Sequence, residues 1–149
     1  MDVESKRTIY VGEYEHSVDG KGRVTIPSKW RFRGDHLEEY LAMPNPDGCI
    51  TLYPPRRIEY LDEQISEVGM AGEGYVDLQD LFRVSDSFSC DKQGRIILND
   101  SLRAHAKIKK VALLKGDFNK FHIWGPEGWD PRPPPDLESL YKTLHDLRV

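Results

Sequence analysis

The sequence predicts a mainly β, α+β protein built from two pseudo-symmetric units that share one core. Three observations predict it. The stretch "VDGKGRVTIP" returns 72 residues later as "CDKQGRIILN". Each copy places alternating apolar positions beside a Gly-containing turn, the mark of half-buried strands. Between and after the copies, apolar residues change to helical spacing.

The repeat extends beyond the motif. With a shift of 72, Asp19 falls on Asp91, Gly22 on Gly94, Arg23 on Arg95, Val24 on Ile96, Ile26 on Leu98, Trp30 on Leu102 and Arg31 on Arg103. Cys49-Ile50-Thr51-Leu52-Tyr53 then matches Lys120-Phe121-His122-Ile123-Trp124 with a shift of 71. Two copies are too few for a solenoid. They suit a pseudo-twofold domain in which each half supplies the other's missing core.

Each copy reads strand, tight turn, strand, short helix, strand, turn, strand. Tyr14, His16 and Val18 alternate with polar neighbours. Asp19-Gly20-Lys21-Gly22 is turn chemistry: Asp accepts backbone N–H bonds and Gly supplies φ > 0 cheaply. Val24 to Ile26 returns as a strand, Pro27 ends it, and Ser28 is expected to cap a short helix carrying Trp30. Leu41-Ala42-Met43 and Ile50-Thr51-Leu52-Tyr53 flank a turn at Pro44-Asn45-Pro46-Asp47-Gly48. Pro54-Pro55 stops that strand and opens a helix with Ile58, Leu61, Ile65 and Val68 on one face. Gly69, Gly72 and Gly74 break it. Leu78, Leu81 and Phe82 suggest a second, short helix, and both helices are expected to cover the sheet core. In the second copy Asn99 stands where the first has Pro27, so its second strand is expected to end differently. Prolines at 131, 133, 134 and 135 make a stiff segment. Behind it Leu137, Leu140, Tyr141, Leu144 and Leu147 fall on one face of a helix too short to stand alone. Its own domain or a neighbouring subunit must cover that stripe.

Composition narrows the function. With 38% hydrophobic and 31% charged residues the chain is globular. It has neither an apolar run of membrane length nor an apolar leader at its start, so a cytoplasmic protein with no membrane partner is expected. Cys49 and Cys90 lack a metal-ligand spacing and are expected as buried small side chains, so no metal or cofactor is assigned. The five histidines, His16, His36, His105, His122 and His145, match no catalytic signature. His16 and His122 read as scaffold residues. No phosphate-binding Gly loop is present, so no catalytic residue is assigned and the chain is not expected to be an enzyme.

The net charge is −4, yet positive charge is concentrated. Residues 19–33 hold five basic side chains (Lys21, Arg23, Lys29, Arg31, Arg33) against Asp19. Residues 91–110 hold six (Lys92, Arg95, Arg103, Lys107, Lys109, Lys110) against Asp91 and Asp100, whereas residues 56–80 carry seven acids and two bases. A hairpin turn requires Asp and Gly but not Arg. A repeated Arg beside Lys21 and Lys92 is suited to phosphate, or to guanine O6 and N7 through its planar fork.

These residues also carry a family resemblance. "YVGEYEHSVDGKGRVTIPSKWR", "ITLYPPRRIEYL", "CDKQGRIIL" with "LRAHAKI", and "FNKFHIW" together resemble the MraZ family, bacterial regulators of the division and cell-wall gene cluster. The likeness covers residues 10–129, and its two DxxxR motifs with these flanks are specific. It implies two SpoVT-AbrB-like swapped-hairpin β units with flanking helices, forming a small barrel-like core. It further implies a ring homo-oligomer, and DxxxR turns that bind short direct repeats of double-stranded DNA in the promoter of its own operon, in the nucleoid. Carried onto this chain, Arg23 and Lys21, with Arg95 and Lys92, are the expected DNA contacts, joined by Arg31 and Lys29. Asp19, Gly22, Asp91 and Gly94 are the turn residues, Asp19 bracing the turn or holding Arg23. Val84-Ser85 departs from the Gly-Ala pair expected there. A protein-binding module of the same fold, antitoxin-like or a structural ring without DNA readout, is the alternative. The implied organisation is a flexible N-terminal extension at 1–9, a first repeat at 10–54, a helical linker at 55–83, a second repeat at 84–130 and a Pro-rich segment with a helix at 131–149. The extension is either an arm adding phosphate contacts through Lys6 and Arg7 or a start placed too early.

Overall fold

A computed structural model describes residues 8–31, 37–69, 74–129 and 136–149. The extension as far as residue 7, with Lys6 and Arg7, and the prolines at 131, 133, 134 and 135 lie outside the described residues, as do Arg33, His36 and Gly72.

The first copy supplies β1 (Glu13–Ser17), β2 (Arg23–Thr25), a 3-10 turn (Ser28–Trp30), β3 (Glu39–Pro44) and β4 (Ile50–Tyr53). Helices α1 (Pro55–Val68) and α2 (Tyr75–Arg83) follow. The second copy supplies β5 (Asp86–Ser89), β6 (Arg95–Ile97), α3 (Asp100–Ala106), β7 (Val111–Gly116) and β8 (Phe121–Trp124), and α4 (Leu137–Asp146) ends the chain. The class is α+β, as the periodicity predicted.

Six strands form one antiparallel sheet in the order β1-β7-β8-β4-β3-β5, and β2 and β6 form a separate ribbon. Under the repeat this order is a palindrome. β1 pairs with β7 of the other copy, with Tyr14 opposite Leu114. β5 pairs with β3, with Phe88 opposite Tyr40. β4 and β8 meet at the centre, where Thr51 faces His122. Within the first hairpin β1 and β2 share no ladder among the described residues; Val18, just after β1, makes an isolated bridge to Val24. Each hairpin therefore gives its strands to the opposite copy. Among the described residues the strands form two sheets without closing a barrel.

The core lies where the sheet meets the ribbon. Val24, Ile26, Tyr40, Ala42, Ile50, Leu52, Ile96, Phe121 and Ile123 are wholly buried, and Trp30 and Leu102 are at the same depth. Trp30 packs against Phe121 at 5.0 Å and Tyr10 at 5.6 Å between ring centroids. Its indole Nε1 donates to the Val11 carbonyl at 3.2 Å, satisfying its one polar group.

Three local expectations change. Ser28 is the first residue of its turn, not the cap; Pro27 occupies the cap position and no side chain accepts there. β2 and β6 are both three residues long, so the Pro27/Asn99 difference is not felt at the strand end. It acts on the helix: Asn99 Oδ1 accepts from Leu102 N at 2.8 Å and caps α3, which Pro27 cannot do. Val84 replaces Gly because the two hairpins are entered differently. Gly12 has φ +94°, whereas Val84 ends α2 at φ −104°, a value open to any side chain.

Helix α1 begins at Pro55 and ends at Gly69 with φ 68°. It half-buries Ile58, Leu61 and Ile65, and α2 half-buries Leu78 and Leu81, so both cover the sheet only in part. On α4 the residues Leu137, Leu140, Tyr141, Leu144 and Leu147 are all exposed. No helix among the described residues is long and apolar enough to cross a membrane.

Candidate nucleic-acid interface

The two motif turns have the same construction. In the first, Gly22 N donates to Asp19 O at 3.0 Å and Asp19 N to Arg23 O at 3.2 Å. In the second, Gly94 N donates to Asp91 O at 2.9 Å and Asp91 N to Arg95 O at 2.8 Å. Gly22 and Gly94 both sit at φ +80°, where a Cβ is strained. Asp19 Oδ1 accepts from Lys21 N and Arg23 N, each at 2.9 Å. Asp91 Oδ1 accepts from Gln93 N at 2.9 Å and Arg95 N at 2.8 Å. The second carboxylate oxygen takes the arginine: Arg23 Nε lies 2.5 Å from Asp19 Oδ2, and Arg95 Nε 2.8 Å from Asp91 Oδ2.

These contacts favour the ionised acid. The Arg23 backbone N–H, foremost, and the Arg23 guanidinium beside it hold the Asp19 carboxyl down at about 2. Partial desolvation works against the same effect at Asp91, but the Arg95 backbone N–H, its guanidinium and the Gln93 N–H still lower it below the usual range. Each Asp thus organises its own turn and holds the side chain of its arginine at Nε. That grip leaves the Nη1/Nη2 edge of each guanidinium, a planar two-donor fork, directed away from the acid.

The register of the ribbon brings the two arginines together. Arg23 lies opposite Ile97, Val24 opposite Ile96 and Thr25 opposite Arg95. Val24 and Ile96 are fully buried, so by strand alternation Arg23, Thr25, Arg95 and Ile97 share the opposite, outward face. The arginines are diagonal, roughly 7 Å apart along the strands and about 5 Å across. Lys21 and Lys92 are exposed on the flanking turns, and Lys29 is exposed on the 3-10 turn. Ile97 is 54% exposed, a large apolar side chain in the middle of a cationic face. Thr25 and Ile97 were not among the sequence candidates, although the strand period places them beside the arginines.

Arg31 lies elsewhere. Its Nη1 donates to the Gln93 carbonyl at 3.1 Å, within the turn of the other copy. A Cβ on Gly94 would stand 2.5 Å from Arg31 Cδ and 2.7 Å from its Cζ. Arg103 repeats this on the first turn, where a Cβ on Gly22 would stand 3.1 Å from its Cζ and Nε. Arg103 is not among the residues the motif singles out, but the repeat aligns it with Arg31, and that alignment is the sequence signal for it.

A second polar cluster links β4 and β8. His122 Nε2 lies 2.8 Å from Asp117 Oδ2, and its Nδ1 3.0 Å from Thr51 Oγ1. Asn45 Nδ2 donates to Thr51 Oγ1 at 3.0 Å. Thr51 is 4% exposed, so its hydroxyl has no open face for a substrate. Cys49 is also buried, and burial raises its thiol to about 11, leaving it protonated and unreactive. His122 is thus the scaffold histidine its strand position suggested. Cys49 and Cys90 are both buried, as small apolar side chains would be. Among the described residues no group of three or more ligating side chains is placed to hold a metal ion.

The chain is similar to known proteins along most of its length. A family model described as "MraZ protein, putative antitoxin-like" matches residues 81–131. The protein of Pediococcus pentosaceus named Transcriptional regulator MraZ is 35% identical over 145 residues, covering 93% of this chain and 94% of that relative. Proteins with the same name from Lachnoclostridium phytofermentans and Lactiplantibacillus plantarum are each 32% identical, again over 93% of this chain and 97% and 100% of the relatives. With a repeated Asp-held arginine turn, crossed hairpins and relatives this similar along nearly their whole length, the chain belongs to the MraZ family.

Proposed function

We propose that the protein is a sequence-specific DNA-binding transcriptional regulator, and that the outward face of the β2–β6 ribbon is its reading surface. The observation that carries this reading is the diagonal pair Arg23 and Arg95, each held at Nε by its own Asp. A two-stranded ribbon fits the major groove, where an Nη1/Nη2 fork pairs with guanine O6 and N7. Lys21, Lys92 and Lys29 supply phosphate contacts that set register without reading sequence. The name borne by the relatives, Transcriptional regulator MraZ, supports the same role. Asp19, Gly22, Asp91 and Gly94 build the turns and do not touch DNA. The site needs no cofactor, and the protein acts in the cytoplasm, at the nucleoid.

The finer reading is repression of its own division and cell-wall gene cluster through short direct repeats, by a ring homo-oligomer. One protomer offers small cationic patches on a chain of net charge −4. A ring places several such patches on one DNA, and the second contact then benefits from a high effective concentration. Within each chain the repeats at 10–54 and 84–130 form one reading unit, with 55–83 as a helical bridge.

A mobility-shift assay on DNA upstream of its own gene tests the reading. Arg23→Ala and Arg95→Ala should each lower affinity by about 10- to 100-fold, the range for a lost bidentate base contact. Wild-type affinity in both variants removes the turns from recognition. The ring is tested separately by native mass and by binding to one repeat against three; a monomer with equal affinity for both overturns it. A protein-binding role has one observation in its favour, the exposed stripe on α4. Retained partner capture with no DNA shift would select it.

A further inference from the structure

We infer that Arg31 and Arg103 are crossed positioning residues: each copy's arginine fixes the reading turn of the other copy, and neither is a phosphate contact. The inference rests on the DNA reading above and names two residues that control its geometry.

The crossing is a matter of distance. Arg31 follows the first ribbon strand, yet it lies over Gly94 and donates to the Gln93 carbonyl at 3.1 Å. Arg103 belongs to α3 of the second copy, yet it lies over Gly22. Both glycines are buried at φ +80°, and the missing Cβ is what lets a flat guanidinium stack on the turn. The Nε atoms of Arg31 and Arg103 are both buried and take no hydrogen-bond partner among the described residues. A cation whose purpose was to meet phosphate would keep its donors in solvent; here the guanidinium is used as a flat packing surface.

The two braces differ in their partners. Arg103 Nη2 pairs with Asp100 on its own helix. The repeat puts Ser28 at the position of Asp100, so among the described residues Arg31 has no such acid and is held by a carbonyl dipole. Arg103 thereby has an acid paired beside the first turn, and Arg31 has a backbone carbonyl beside the second. Since Arg23 and Arg95 must present their forks in one plane to read one groove, a turn free to rock would blur the readout.

The test uses the full chain carrying Arg103→Gln or Arg31→Gln, with Arg103→Lys and Arg31→Lys as milder variants in case either glutamine fails to fold. Hydrogen–deuterium exchange is followed on peptides covering residues 18–24 and 90–96, and affinity for the upstream duplex is measured across a salt series. Arg103→Gln should speed exchange in 18–24 and leave 90–96 unchanged; Arg31→Gln should do the reverse. Each should weaken DNA binding about tenfold, within the range for one lost specific contact. The slope of log affinity against log salt should stay the same, because no phosphate contact is removed. Exchange that is unchanged, or that rises only in the mutated copy's own turn, overturns the crossed brace. A slope that falls by about one overturns the positioning role and makes the residue a phosphate contact. If Arg23→Ala and Arg95→Ala bind normally, the DNA reading fails, and the exchange pattern still decides whether the braces exist.

Discussion

Arg23 Nε lies 2.5 Å from Asp19 Oδ2, and the same carboxylate accepts the Arg23 backbone N–H at 2.9 Å. One acid therefore holds both the main chain and the side chain of the residue that faces outward from the ribbon. The pair is partly solvent-exposed, so it adds little to global stability. Its consequence is conformational.

The titration of Asp19 should show this. Its carboxyl is held at about 2 against an ordinary value of 3.8. A depressed folded-state value means that the stabilising contribution is complete above the unfolded value and is lost as pH falls from roughly 4 toward 2. Carboxyl carbon NMR should place the Asp19 midpoint near that lower value, with Asp91 also displaced downward. Arg23→Ala should raise the Asp19 midpoint by removing both the guanidinium hydrogen bond and its charge. A midpoint of 3.8 or above in the wild type would show that the acid does not hold its turn.

Glycine substitutions should separate two roles in similar turns. Gly94→Ala puts a Cβ at φ +80° and against Arg31 Cδ, so it should cost about 1–3 kcal/mol of unfolding free energy in urea titrations. Gly20→Ala meets nothing within 4 Å, and should change stability by less than about 0.5 kcal/mol. Equal losses at both positions would contradict the packing of Arg31 on the second turn.

The aromatic centre should be the most sensitive part of the fold. Trp30 is 1% exposed and packs on Tyr10, Tyr14 and Phe121. Trp30→Ala should destabilise by about 3–5 kcal/mol, as large aromatic truncations in cores do. Trp30→Leu places at that site the residue the second copy uses at Leu102, and should recover part of the loss. Thermal unfolding followed by circular dichroism reads both.

Asn99→Ala should remove the cap of α3 and cost about 1 kcal/mol. It also removes the Asn99 Nδ2 hydrogen bond to Asp86 at 3.1 Å. Because α3 carries Arg103, exchange in the first turn should quicken as well, although Asn99 itself lies in the second copy. A stability loss with an unaffected first turn would show that α3 does not transmit to it.

Much of this was legible in the order of residues because it is local. Asp19, Gly22 and Arg23 sit within one turn, so turn chemistry alone indicates a closed hairpin corner. Pro54-Pro55 and Gly69 mark the ends of α1, again through their own backbone preferences. The alternation through Tyr14, His16 and Val18 predicts a strand without reference to a partner. Ser28 does not cap as its residue type suggests, because Pro27, with its fixed φ, already occupies the cap position and no side-chain cap is made there.

The candidate site was legible only in part. Arg23 and Arg95 follow from the repeat, and their Asp partners from spacing. Arg31 belonged to the same run of basic residues and was grouped with them for its charge, but its position over Gly94 depends on how the copies pack. Arg103 carries the same information through the alignment, although it lies outside the motif.

By itself the sequence determines the duplication, the element types and the two Asp-held turns, since each follows from backbone preference over a few residues or from self-similarity along the chain. Only the tertiary structure decides that β1 joins β7, that β5 joins β3, and that β2 and β6 leave the main sheet to pair with one another. Strand period specifies which face is apolar but not which strand will cover it. That choice is made by burying Val24 and Ile96 together beneath the ribbon, and the same pairing sets Arg23 and Arg95 on one outward face and sends Arg31 and Arg103 to each other's turns.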